Sequence, residues 1–165
     1  MSVCIIVGSK NDISKVKDCF KTLKEFNVSF VFKVLSAHRT PDELEKFIKE
    51  IEKNVDVFIA AAGMSAHLAG VIASKTSKPV IAIPLDVKLG GIDSLLSMVN
   101  MPPGIPVACV GIDSAKNAAI LALEIIAIKD ERIRSKLIEM RKKLISEILE
   151  TNKEIEKLGI DEFIK

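Results

Sequence analysis

Short runs of apolar, mostly β-branched residues recur along the chain at Val3 to Val7, Ser29 to Val34, Val55 to Ala61, Val80 to Ile83 and Val107 to Val110. Each has the length and composition of a strand buried on both faces. Between them the apolar period lengthens to that of a helix. Asn11 to Phe26 places Ile13, Val16, Phe20, Leu23 and Phe26 on one side, and Pro41 to Ile51 does the same with Leu44, Phe47, Ile48 and Ile51. Strands alternating with helices predict an α/β, flavodoxin-like three-layer sandwich, with helices on both faces of a doubly wound parallel sheet. No internal repeat, low-complexity tract or linker interrupts the pattern.

The chain ends differently. From Asp130 to Leu158 the residues Ile133, Leu137, Met140, Leu144, Ile148, Ile155 and Leu158 make a long apolar stripe on an otherwise charged helix. At 1.5 Å per residue that helix is about 42 Å long, more than a domain of this size covers, so part of the stripe is expected to pack on another subunit. The alternative is a helix folded back over its own sheet. We therefore expect residues 1–128 to form the sheet domain and 129–165 a helical extension of it, in an oligomer interface.

Ligands of open parallel sheets bind outside the carboxyl ends of the strands, so the segments just beyond the apolar runs are the places to seek chemistry. The first run leads into Gly8-Ser9-Lys10-Asn11-Asp12, the second into Ser36-Ala37-His38-Arg39, and the third into Gly63-Met64-Ser65-Ala66-His67. Thr40-Pro41-Asp42-Glu43 has the capping-box pattern, with Thr40 as N-cap and Pro41 at the first helical position. His38 and Arg39 thus occupy a short loop at a helix N-terminus, where free amides favour an anion. Arg39 adds a planar fork suited to phosphate or carboxylate, and His38 a group whose ordinary titration range spans neutrality. The blander reading is an exposed Arg and a His bonded to a backbone group. Ser9 and Asp12 have the spacing of N-cap and N3 in the next helix, or else they bond a sugar or phosphate above the sheet. Gly63 and Ser65 either end a strand and cap a helix or line a pocket, and His67 is either a satisfied core imidazole or a second ligand contact beside His38.

Composition removes other classes. The 165 residues are 48% hydrophobic and 28% charged, which fits one globular domain with a substantial core. A net charge of +2, no Trp or Tyr and seven Phe leave no basic, ring-studded surface for nucleic acid. The first residues lack a basic signal-peptide region, and no apolar run approaches the roughly 18 residues of a membrane span, so a soluble, cytoplasmic protein without membrane contact is expected. Cys4, Cys19 and Cys109 show no C-x-x-C spacing and read as buried or spare thiols. His38 and His67 are 29 positions apart without neighbouring Cys or paired carboxylates, which argues against zinc. Fingerprints of dinucleotide and P-loop sites are missing, and the strand ends lack the acidic cluster and Asp of a phosphoacceptor receiver.

Taken together, Gly8-Ser9-Lys10-Asn11-Asp12, Ser36-Ala37-His38-Arg39-Thr40-Pro41, Ala62-Gly63-Met64-Ser65-Ala66-His67-Leu68-Ala69-Gly70 and the segment from Leu89 to Val107 resemble the N5-carboxyaminoimidazole ribonucleotide mutases of purine biosynthesis. The resemblance runs in order from residue 1 to about 128. It implies a flavodoxin-like subunit of a homo-octamer that needs no metal, ATP or organic cofactor. It also implies a phosphorylated imidazole ribonucleotide as substrate, whose carboxylate moves from the exocyclic nitrogen to ring carbon C4. On the matching positions, His38 is the implied general acid and base, and Ser36 and Arg39 hold the phosphate. Ser9 and Asp12 bind the ribose and phosphate region, and Gly63 and His67 line the base and carboxylate pocket. Asn11 stands where the family has Ser, Met64, Ser65 and Ala69 where it has Gly, Ala and Pro, and Asn100 where it has Gln. The retained Ala66-His67-Leu68 favours a mutase over the related carboxylases that take CO2 directly. A non-catalytic flavodoxin-like binding module, for a phosphorylated small molecule such as flavin mononucleotide, is weakened by the lack of Trp and Tyr for stacking.

Overall fold

The computed structural model describes residues 2–164. The chain divides into two compact units, one through Ile126 and one from Ala127. In the first, strands β1 (Ser2–Val7), β2 (Ser29–Val34), β3 (Val57–Ala62), β4 (Val80–Pro84) and β5 (Ala108–Cys109) form one parallel sheet in the order β2-β1-β3-β4-β5. This is the flavodoxin-like strand order, whose switch point lies between β1 and β3.

Alternation along the strands separates two helical layers. Cys4, Ile6, Phe58, Ala60, Ala62 and Ala82 share one core with Leu44 and Ile48 of α2 (Pro41–Ile51), Leu68 and Ile72 of α3 (Leu68–Ala73), and Met98 of α4 (Ile92–Val99). On the other face, Phe20 of α1 (Lys17–Glu25) stacks on Phe30 at 5.5 Å and meets Phe32 edge-on at 5.1 Å. Those two rings pair in register with Val3 and Ile5, so α1 lies opposite α2, α3 and α4. Helix α5 (Ala115–Ala127) buries Ala118, Ala119, Ala122 and Leu123.

Three expectations are revised. The helix foreseen over Asn11 to Phe26 is a 3-10 turn over Lys10–Val16 followed by α1; an apolar period of three and one of 3.6 do not separate over two turns. The third strand starts at Val57 and not Val55, since its pairing with β1 begins at Val3↔Val57, next to the start of β1 at Ser2. The fifth strand has only two residues, since Pro106 offers no amide to extend the ladder.

In the second unit, Asp130 caps α6 (Glu131–Leu158) by accepting hydrogen bonds from the amides of Arg132 at 2.9 Å and Ile133 at 3.3 Å. The Arg132 guanidinium, bonded to the same carboxylate, lowers the Asp130 pKa. Gly159, at φ 79°, ends the helix before α7 (Ile160–Phe163). Ile133 and Leu137 are buried, whereas Leu144, Ile145, Ile148 and Leu149 are exposed. Among the described residues no helix is long and apolar enough to cross a membrane.

Candidate active site

The strands end level with one another. The Leu35 amide bonds the Val7 carbonyl at 3.0 Å, Gly8 donates to Ala61 at 3.2 Å, and Leu85 donates to Ala62 at 3.0 Å. The segments after β1, β2, β3 and β4 therefore start from a common rim.

The segment after β2 folds into a tight turn. Thr40 donates its amide to the Ser36 carbonyl at 2.9 Å, and its hydroxyl accepts from the Ser36 amide at 2.9 Å and donates to the Ser36 carbonyl at 3.2 Å. Thr40 is the N-cap residue of α2, but its side chain makes no capping bond. The expected capping box is thus not formed: the hydroxyl turns back to the residue four positions earlier and closes the turn. The Ser36 hydroxyl accepts from the Arg39 amide at 3.2 Å and from Arg39 Nε at 3.4 Å.

Arg39 Nη2 reaches across to donate to the Gly8 carbonyl at 2.7 Å. Its guanidinium so bridges the ends of β2 and β1, using two of its five N–H donors and leaving three for an anion. Asp12 comes to the same point. It is buried, and its Oδ2 lies 3.6 Å from where a Cβ on Gly8 would stand. No described residue bonds its carboxylate. Ser9 occupies the N-cap position of the 3-10 turn at Lys10–Val16 without a side-chain capping bond, so the capping role does not engage its hydroxyl. Lys15 of the same turn pairs with Asp113 beyond β5, an interaction that raises the Lys15 pKa.

His38 is exposed on the turn between Ser36 and Thr40 and makes no hydrogen bond to the described residues. The reading of an imidazole tied to a backbone group does not hold. His67 is also exposed, at the N-cap of α3, with no side-chain cap bond, so it is not a core imidazole. Among the described residues no bond ties its side chain to the group around Gly8.

The loop after β3 is held tightly. A Cβ on Gly63 would stand 2.4 Å from Val87 Cγ2, so only glycine permits this approach of two strand-end loops. Met64 and Ser65 follow with φ of 56° and 53°, a left-handed conformation that disfavours residues with a Cβ by roughly 1–2 kcal/mol each. The Ala66 amide closes the turn on the Gly63 carbonyl at 3.1 Å, and the Ser65 hydroxyl donates to Asp93 Oδ2 at 3.3 Å. The last of these contacts escapes a reading of the sequence, because its partners are 28 positions apart. After β4, Leu89, Gly90 and Gly91 all have positive φ, and a Cβ on Gly91 would stand 2.6 Å from Ile112 Cγ2. Met64, Val87 and Leu89 of these loops and Ile92 at the start of α4 are exposed apolar residues. Among the described residues no three His, Cys, Asp or Glu side chains gather as a metal site.

The chain is 53% identical to the N5-carboxyaminoimidazole ribonucleotide mutase of Methanocaldococcus jannaschii over 94% of this chain and 98% of that protein. It is 42% identical to the enzyme of that name from Thermotoga maritima, over 98% of this chain and 96% of that one. The crystal structure of Treponema denticola PurE superposes with a TM-score of 0.84 at 28% identity, covering 96% of this chain and 98% of that one. The family described as AIR carboxylase matches residues 2–147. With that span and these relatives, the chain belongs to the AIR carboxylase family.

Proposed function

We propose that this chain is an N5-carboxyaminoimidazole ribonucleotide mutase, an isomerase that moves the carboxylate from the exocyclic nitrogen to C4 of the imidazole. The observation that carries this reading is the turn after β2: it presents His38, without a side-chain hydrogen bond to the described residues, next to Arg39, whose guanidinium bonds the carbonyl of Gly8, the residue that the Asp12 carboxylate also approaches. The relatives that bear the mutase name support it.

Arg39 and Ser36 hold the phosphate, through charge-assisted bonds from the guanidinium donors left over. Asp12 and the Ser9 hydroxyl accept from and donate to the ribose and phosphate region. His38 gives a proton to the exocyclic nitrogen as its bond to the carboxylate carbon breaks, releasing CO2 beside an amine. The C4 carbon, made nucleophilic by that amine, attacks CO2, and His38 takes back the C4 proton, so the proton lent equals the proton recovered. Gly63 and His67 line the pocket that keeps CO2 near C4, since escape converts a unimolecular transfer into a dilute bimolecular one. The chemistry uses no cofactor.

The exposed apolar residues of α6 suit a cover by further copies of the chain, up to an octamer. Light scattering reads this directly: a monomer at working concentration contradicts it. The catalytic reading is tested by supplying the carbamate isomer in buffer freed of CO2 and bicarbonate. Formation of the C4-carboxylated nucleotide is expected. Turnover only after bicarbonate is added, starting from aminoimidazole ribonucleotide, would instead identify a direct carboxylase.

A further inference from the structure

Asp93 stands apart from every group used so far. It sits in the first turn of α4, where one carboxylate oxygen accepts from the Ser65 hydroxyl at 3.3 Å. The other oxygen, Oδ1, is buried and has no partner among the described residues. A carboxylate oxygen stripped of water and left unbonded works against the fold, whatever the charge contributes in the first turn of α4. Its base is fixed. The adjacent Ser94 is fully buried and bonds the Leu85 carbonyl at 3.0 Å, and Gly91 is wedged against Ile112. Its partner is strained: Met64 and Ser65 are consecutive non-glycine residues with positive φ, between Gly63 and His67. Backbone strain of this kind persists where its surroundings over-determine it.

We propose that Asp93 is a positioning residue, which through Ser65 holds the strained Gly63–His67 loop in place so that CO2 freed during the reaction stays in the pocket. This rests on the mutase reading of the same site. In this role Asp93 acts through Ser65 and takes no part in the bond-making or proton transfer. Without the bond the loop is free to relax, and CO2 leaves before C4 attacks it. The consequence is a change in partition: part of the carbamate isomer ends as aminoimidazole ribonucleotide and free CO2 instead of the C4-carboxylated product.

The test compares the wild-type chain with Ser65→Ala, Ser65→Gly, Asp93→Asn and the Ser65→Ala/Asp93→Asn double variant. It measures the ratio of decarboxylated to C4-carboxylated nucleotide from the carbamate isomer, together with kcat, KM and the melting temperature. Loss of one hydrogen bond predicts a rise in that ratio of about 3- to 10-fold, with KM little changed and the double variant no worse than either single one. Ser65→Gly separates positioning from stability: it removes the left-handed strain, so the melting temperature holds or rises while CO2 escape still increases. An unchanged ratio in Ser65→Ala and Asp93→Asn, with wild-type turnover intact, overturns the positioning role alone. Should Asp93→Asn fail to fold, the two Ser65 variants decide by the same ratio. A wild-type chain that does not convert the carbamate isomer overturns both this role and the mutase reading.

Discussion

Arg39 has one donor on Ser36 and one on the Gly8 carbonyl, which fixes the plane of the guanidinium before any ligand arrives. Replacing it by Ala removes both the charge and this bracing. Arg39→Ala is expected to weaken binding of the phosphorylated nucleotide by the roughly 1.5–3 kcal/mol of a charge-assisted bond, about 10- to 150-fold in Kd by calorimetry, and to weaken the dephosphorylated nucleoside far less. Equal losses for both would take the phosphate away from Arg39. The His38 side chain makes no hydrogen bond to the described residues that its loss would break. His38→Asn should therefore keep nucleotide affinity and the melting temperature while kcat falls by at least about 10²-fold. Near-wild-type turnover in that variant would remove His38 from the chemistry. At this scale the residue types of the candidate site were visible in the sequence, but their hydrogen-bond partners were not. Thr40 and Glu43 satisfy the capping-box pattern, yet the Thr40 oxygen accepts from the Ser36 amide and not from the helix, a competition between two local amide donors that spacing does not rank. The choice between a capping and a ligand role for Ser9 and Asp12 likewise depended on whether the capping bond forms.

The elements were more legible than their ends. Helix α2 runs from Pro41 to Ile51 as its apolar period requires, because a Pro at the first helical position and four apolar residues on one side leave no competing solution. The 3-10 turn before α1 and the two-residue β5 depend on contacts with other segments and were missed. Helix α2 is also tied to the segment after α3: Glu45 bonds Lys49 at 2.6 Å and Lys75 at 2.8 Å, and these two ammonium groups pull its carboxyl down to about 2 from an ordinary 4.5. A depressed carboxylate pKa stabilises the fold above the unfolded value and ceases to do so as pH drops through the folded one. Between about pH 4.5 and 2 the wild-type chain should therefore lose more stability in urea unfolding than Glu45→Gln does, and the two should converge at the acid end. Parallel curves across that window would show that the pair contributes nothing.

Over the whole molecule, the sheet order and the burial of both faces follow from five apolar runs and the helices between them. Cys4 and Cys19 lie in those two layers, and burial pushes both thiols up to about 12 from 9.0. The folded state then keeps protons that the unfolded state loses above pH 9, so stability should fall between pH 9 and 12 by on the order of 1.4 kcal/mol per pH unit for each thiol. Cys4→Ala/Cys19→Ala should flatten this slope, and an unaltered slope would refute the assignment. How strand ends combine into a site is also a property of the whole molecule. Gly8, Ser36, Arg39 and Asp12 meet only because β2 and β1 are neighbours that end level, and the contact between Ser65 and Asp93 requires α4 to start beside the loop after β3.

The central claim, that one pocket above this rim moves a carboxylate within one nucleotide, is tested most directly with a carbon label. The carbamate isomer carrying ¹³C in its carboxylate is converted by the intact protein in buffer containing excess unlabelled bicarbonate, and the C4 carboxylate of the product is read by mass spectrometry. Transfer within the pocket predicts that nearly all the label is retained; a product that carries the isotopic composition of the bicarbonate would contradict it.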